Sequence, residues 1–138
     1  MSDVRLLVVL CLLMVTAPAS AAVPNPVRAT MSTSSTEPLV DVPWRYTVLV
    51  KDRAGKPLGA KMRLQVLRGP TVIRCLKRTA VVPCSGAGAG TWIPFTGRRT
   101  GVVRWPARPA DVKLTFQAVV VVGTRSLRLR APVVVRMP

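Results

Sequence analysis

Strict alternation of apolar and polar residues constrains this chain more than any other feature. In the stretch WRYTVLVK, Trp44, Tyr46, Val48 and Val50 fall on one side, while Arg45, Thr47, Leu49 and Lys51 fall on the other. In AKMRLQV, Ala60, Met62, Leu64 and Val66 alternate with Lys61, Arg63 and Gln65. In VKLTFQAVVVV, Leu114, Phe116, Ala118, Val120 and Val122 share a parity. In SLRLRAPVVVR, Leu127, Leu129, Ala131, Val133 and Val135 do the same, with Arg128, Arg130 and Arg136 opposite. Side chains of an extended strand point alternately to its two faces, so each stretch predicts a half-buried strand. No segment carries a convincing helical period.

Turn chemistry separates the runs. Asp52 to Pro57 parts the first two, Arg68-Gly69-Pro70 ends the second, and Gly97 to Gly101 separates TWIPF from VVRW. Gly123-Thr124 predicts a tight hairpin between the last two strands. About seven to eight short strands with regular turns predict an all-β antiparallel sandwich.

Residues 1–21 do not belong to this pattern. Arg5 supplies a weak positive start, Leu6 to Val15 is unbroken apolar sequence, and Ala19-Ser20-Ala21 has the small-x-small pattern of a signal-peptidase site. This is the layout of a secretory signal peptide, too short in its apolar core for an ordinary membrane span of ~20 residues. An uncleaved signal anchor is the competing reading. No second membrane span is expected after cleavage. The division that follows is a leader over 1–21, a Pro/Ser/Thr-rich lead over 22–42, and a sandwich over 43–138. Within the lead, Val27 to Ser32 could add an edge strand, where proline and polar residues are tolerated.

Export changes the meaning of the cysteines. Cys11 lies inside the leader's apolar core and leaves with it, so three cysteines become two, Cys75 and Cys84. An oxidising compartment favours a disulfide between them. Two thiolates without any histidine do not make a closed zinc site, and the spacing is not C-x-x-C. Free thiols or an intermolecular bridge remain the alternatives.

The charge is one-sided. Lys and Arg total 21 against 5 Asp and Glu, a net charge of +16. Losing the leader removes Arg5 and Asp3, and 20 minus 4 leaves the same balance. A field of this sign attracts polyanions over about a Debye length. The competing reading is that the cations only solvate outward strand faces. Lys113, Arg128, Arg130 and Arg136 are the candidate polyanion contacts, since the last strands should be hairpin neighbours. Lys61 and Arg63 are outward on their own strand, in a sheet the sequence does not specify.

Catalytic chemistry finds little to use. The mature acids are Glu37, Asp41, Asp52 and Asp111, and histidine is absent. Asp52 and Asp111 adjoin turn signals, where carboxylates bond the local backbone. No G-x-S-x-G or S-x-x-K pattern is present, and SGAGAG (85–90) lacks the ending of a phosphate-binding loop. No catalytic, cofactor or metal site is expected. Trp44 reads as core. Trp92 and Trp105 could pair across a hairpin or form an exposed stacking surface.

The segments TVLVKDRAGKPLGAKMRLQV, GVVRWP and LTFQAVVVVGTRSLRL together resemble a bacterial immunoglobulin-like domain. More narrowly, they resemble small secreted single-domain proteins of high-GC bacteria. The shared features are V-x-D-x-x-G-x-P, an isolated W-P, and an L-T-F strand running into a glycine hairpin. The likeness covers Val27 to Pro138 and implies a fold and an extracellular setting, not an activity. The two cysteines lie too close together to be the antibody-type inter-sheet pair.

The expectation is therefore a secreted, non-enzymatic immunoglobulin-like module with a structural or binding role at the cell envelope or in the medium. The alternative is a basic polyanion binder. Its partner would be an anionic envelope polymer, with nucleic acid disfavoured because no recognition helix is visible and stacking aromatics are few.

Overall fold

The computed structural model describes residues 26–85, 89–107 and 111–138. The expected leader (1–21) and the start of the lead lie outside them, as do residues 86–88 of SGAGAG. The described residues form nine strands: β1 (Arg28–Thr33), β2 (Trp44–Lys51), β3 (Gly59–Arg68), β4 (Thr71–Lys77), β5 (Ala80–Val82), β6 (Ile93–Thr96), β7 (Arg98–Val103), β8 (Lys113–Val122) and β9 (Arg125–Val134). No helix occurs among the described residues. The strands make two antiparallel sheets. The smaller has the order β1-β2-β7; the larger has β5-β4-β3-β8-β9, with β6 also paired to β3. The result is a β-sandwich compatible with an immunoglobulin-like domain.

The core follows the alternation. Trp44, Tyr46, Val48 and Val50 of β2 pack with Met62, Leu64 and Val66 of β3 and with Leu114, Phe116, Ala118 and Val120 of β8. Val133 and Val135 close one end and are fully buried, whereas Leu127 and Leu129 are half-buried, since β9 lies at a sheet edge. Trp44, Trp105 and Phe116 meet edge to face, with centroids 5.1 Å (Trp44–Phe116), 5.4 Å (Trp44–Trp105) and 6.2 Å (Trp105–Phe116) apart. Such contacts add to plain area burial. The Trp44 indole N–H donates to the Ser35 carbonyl at 2.8 Å.

The strand count exceeds the expected seven to eight through the three-residue β5, and the TWIPF–VVRW region is not a hairpin. Gly97 alone makes the break, at φ 72°, and there the chain leaves the larger sheet for the smaller. Its N–H donates to Leu58 and its carbonyl accepts from Val50, so the corner is stitched on both sides. Gly101 is not a turn residue but lies within β7, opposite Tyr46. A Cβ there would occupy the space of the Tyr46 ring. Trp92 and Trp105 accordingly do not pair: Trp105 is core, while Trp92 lies over the outside of the larger sheet. The Gly123-Thr124 hairpin closes as expected, with Val122 opposite Arg125 and Gly123 at φ 58°.

Cys75 and Cys84 are joined, their Cα atoms 4.9 Å apart. The bridge closes a tight β4–β5 hairpin in which Cys75 faces Val82 and Lys77 faces Ala80. Arg78 takes a positive φ of 57° at its tip.

Candidate functional site

The outer face of the larger sheet is where the structure departs most from simple alternation. An outward face ought to be solvated, yet Gln117 and Val119 of β8 are only 3% and 8% exposed. Register explains this. Val119 lies opposite Arg63 of β3 on one side and Arg128 of β9 on the other. Gln117 lies likewise between Gln65 and Arg130, and Val121 between Lys61 and Ser126. Long side chains from both neighbouring strands therefore arch over the middle strand, burying their stems on its valines.

One wall of the resulting groove is built by Trp92 with Leu67, Pro70 and Val72 of the β3–β4 hairpin. Cys75 is the outward neighbour of Gln65 across β3–β4. Gly90 sits close to both the Cys75 sulfur and the Arg63 side chain, and its N–H donates to Leu76. That path brings Trp92 across β3, with the Arg63 guanidinium carbon 4.7 Å and the Lys61 ammonium 5.0 Å from its ring centroid. Both are within cation–π range. The opposite wall is Arg128 and Arg130. The hollow between is about 480 Å³, floored by Val119 and Val121 and lined by Arg63, Gln65, Gln117 and Trp92 among others.

Its polar groups are ordered in a relay. Gln117 donates to Gln65 Oε1 at 3.0 Å, and Arg130 donates through Nε to Gln117 Oε1 at 2.8 Å. Arg130 is thereby fixed at its inner edge, leaving its two terminal nitrogens for the groove. Arg63 Nε is buried without a hydrogen-bond partner.

Among the described residues no carboxylate lines this groove. Asp52 instead caps its own turn, accepting from the Lys56 N–H at 2.9 Å. Asp111, expected to bond local backbone, accepts from Arg136 at 2.7 Å, and Glu37 accepts from the same guanidinium at 3.1 Å. Those two hydrogen bonds, Asp111 first, raise the Arg136 pKa above its usual value. Asp41 contributes through its backbone, whose carbonyl accepts from Arg104. Among the described residues no group of three or more His, Cys, Asp or Glu is placed to hold a metal ion.

Of the four candidate contacts, the structure brings Arg128 and Arg130 together in the groove. Arg136 continues their parity but lies past β9, engaged with Glu37 and Asp111. Lys113 borders a separate hollow with Glu37 and Pro132. Lys61 and Arg63, whose sheet was open, join the same face. The smaller sheet's outer face also carries cations, Arg28, Arg45, Lys51 and Arg98, spaced around Leu49, Thr47 and Thr100. Charge alone therefore does not single out the larger sheet; convergence on one concavity does. Gln65 and Gln117 were missed as site residues, while Trp92 was open between hairpin packing and an exposed stacking surface. The available signals were a glutamine inside each of two strong strand patterns and the unbroken run Ala118 to Val122, which marks a strand covered on both faces.

No family model matches the chain, and comparison with curated proteins finds no match.

Proposed function

We propose that this protein is an exported, immunoglobulin-like binding module without catalytic chemistry, and that the outer face of its larger sheet holds an anionic polymer of the cell envelope. The immunoglobulin-like reading is supported by strand order. β2 pairs with β7, while β3 pairs with β8 and β8 with β9, as B with E, C with F and F with G do in that fold. β4 and β5 extend the larger sheet as C′ and C″ do. Export rests on the leader pattern of residues 1–21 and is supported by the Cys75–Cys84 bridge.

The observation that carries the binding reading is the convergence of Arg63, Arg128 and Arg130 on one groove without a carboxylate. Like charges held together in a partly desolvated hollow repel, and a bound anion relieves that repulsion. A linear polymer suits a groove open at the protein surface. Duplex DNA is disfavoured, because a concavity on a sheet offers nothing to insert into a major groove.

The test is retention of the mature protein on purified anionic wall polymer at low and physiological salt, with duplex DNA alongside. Arg128→Ser/Arg130→Ser is compared with the charge-matched Arg45→Ser/Arg98→Ser on the other sheet. The groove variant should flatten the plot of log affinity against log salt by about two contacts' worth, and more than the control does. Equal losses in the two variants would mean that net charge alone drives retention.

A further inference from the structure

Resting on that reading of the groove, we propose that the group it takes is phosphate, in particular the dianion of a phosphate monoester, rather than carboxylate. The argument is one of directions. Arg63 comes from β3, and Arg128 and Arg130 come from β9, with β8 between them. Arg63 and Arg128 flank Val119, so their backbones stand two strand spacings apart, about 9–10 Å. Their guanidinium groups reach the groove from opposite walls. A carboxylate is planar and matches one guanidinium fork, two parallel bonds in one plane. Its remaining lone pairs lie in that same plane, so it meets the donors on the opposite wall less fully. A phosphate monoester presents three acceptor oxygens in a tetrahedral arrangement and carries a charge of about −1.5 to −2 at neutral pH. It can accept from both walls together.

The relay supports this seat. Because Arg130 Nε is already committed to Gln117, Arg130 meets a ligand end-on with its terminal nitrogens. Arg63 is held by the Trp92 ring and has a buried, unpartnered Nε. The rim and floor, Trp92, Val119 and Val121, are apolar and suit the body that carries the phosphate. That body could be a phosphorylated glycan or a lipid headgroup. The seat's chemistry is the same for both.

The experiment compares salt elution from phosphocellulose and carboxymethylcellulose, which share a polysaccharide backbone and differ in the anion. The proteins are the mature wild type, Arg128→Ser/Arg130→Ser and the control Arg45→Ser/Arg98→Ser, each checked for an unchanged melting profile. The expected result is that the groove variant elutes at clearly lower salt than the control from phosphocellulose, and together with it from carboxymethylcellulose. A second arm varies pH. The monoester gains its second charge near pH 6. The chain has no histidine, and the charged groups that face the groove and its rim are Lys61, Arg63, Arg128 and Arg130. The wild-type excess on phosphocellulose should therefore grow between about pH 5 and 7.5. Flotation with phosphatidic acid vesicles then separates a lipid source from a glycan source. If the groove variant loses equally on both resins, but more than the control, the anion-binding groove stands and the phosphate preference falls. If groove and control variants behave alike on both resins, the groove reading falls as well.

Discussion

Replacing both Cys75 and Cys84 by Ala removes a bridge that does two jobs. It closes a hairpin with a sequence separation of 9, and its Cys75 sulfur packs beside Gly90, two residues before the Trp92 of the groove rim. For a closed loop of about ten residues, chain entropy gives about 9 cal/mol/K, or about 2.7 kcal/mol at 25 °C. Unfolding entropy of about 2.1 cal/mol/K per residue, over the roughly 115 residues that follow the expected leader, is near 240 cal/mol/K. The melting midpoint should therefore fall by about 11 °C. Differential scanning calorimetry measures this directly, and tryptophan fluorescence with and without a binding polymer reports the second job. The larger sheet should survive, because β3, β8 and β9 pair without the hairpin. A midpoint lowered by less than about 3 °C would refute the entropic reasoning. It would mean that the β4–β5 hairpin holds its ends together without help.

Gly101→Val should destabilise by about 1–3 kcal/mol through overpacking against Tyr46, and urea unfolding would show it; a neutral result would mean that the ring can move aside. Gln117→Leu breaks the relay and leaves Gln65 without its donor in a part-buried site, so it should cost about 1–3 kcal/mol and weaken retention on anionic polymer. Retention equal to wild type would show that Arg130 needs no positioning. Tyr46 is the only tyrosine; burial raises its pKa above 10.0, partly offset by Arg99. Below pH 10 the phenol is neutral both folded and unfolded. Above it the unfolded chain ionises first, so stability falls as pH rises, by at most about 1.4 kcal/mol per unit for this group. Tyr46→Phe should remove that increment of the alkaline limb, which absorbance at alkaline pH and denaturant titrations would follow.

The parity of Trp44 to Val50 and of Leu114 to Val122 was enough to place the inner faces, because a one-residue slip would turn the inward set of each strand, Val48 and Val50 in one and Phe116 and Val120 in the other, to the outside. Asp52 to Pro57 and Gly123-Thr124 announced their turns through residue chemistry that acts locally. What could not be read was anything set by which strands become neighbours. The Gly97 corner looks in sequence like a hairpin turn, because only tertiary packing sends β6 and β7 to different sheets. Lys61 and Arg63 were legible as outward but not as facing Arg128 across β8. Arg136 has the parity of Arg130, yet its partners Glu37 and Asp111 come from distant parts of the chain. Trp92 lies against Lys61 and Arg63 of β3, a contact between distant parts of the chain that no local pattern encodes.

The claim at the centre is that anions seat in one groove rather than wherever positive charge is exposed. Nuclear magnetic resonance titration of the labelled mature protein with a short anionic wall-polymer fragment, at physiological salt, reads this residue by residue. The side-chain Nε–H signals of Arg63, Arg128 and Arg130, the amide groups of Gln65 and Gln117, and the Trp92 indole N–H should shift together along one binding curve, while Arg28, Arg45 and Arg98 stay still. Shifts spread evenly over both outer faces, or confined to the smaller sheet, would contradict it.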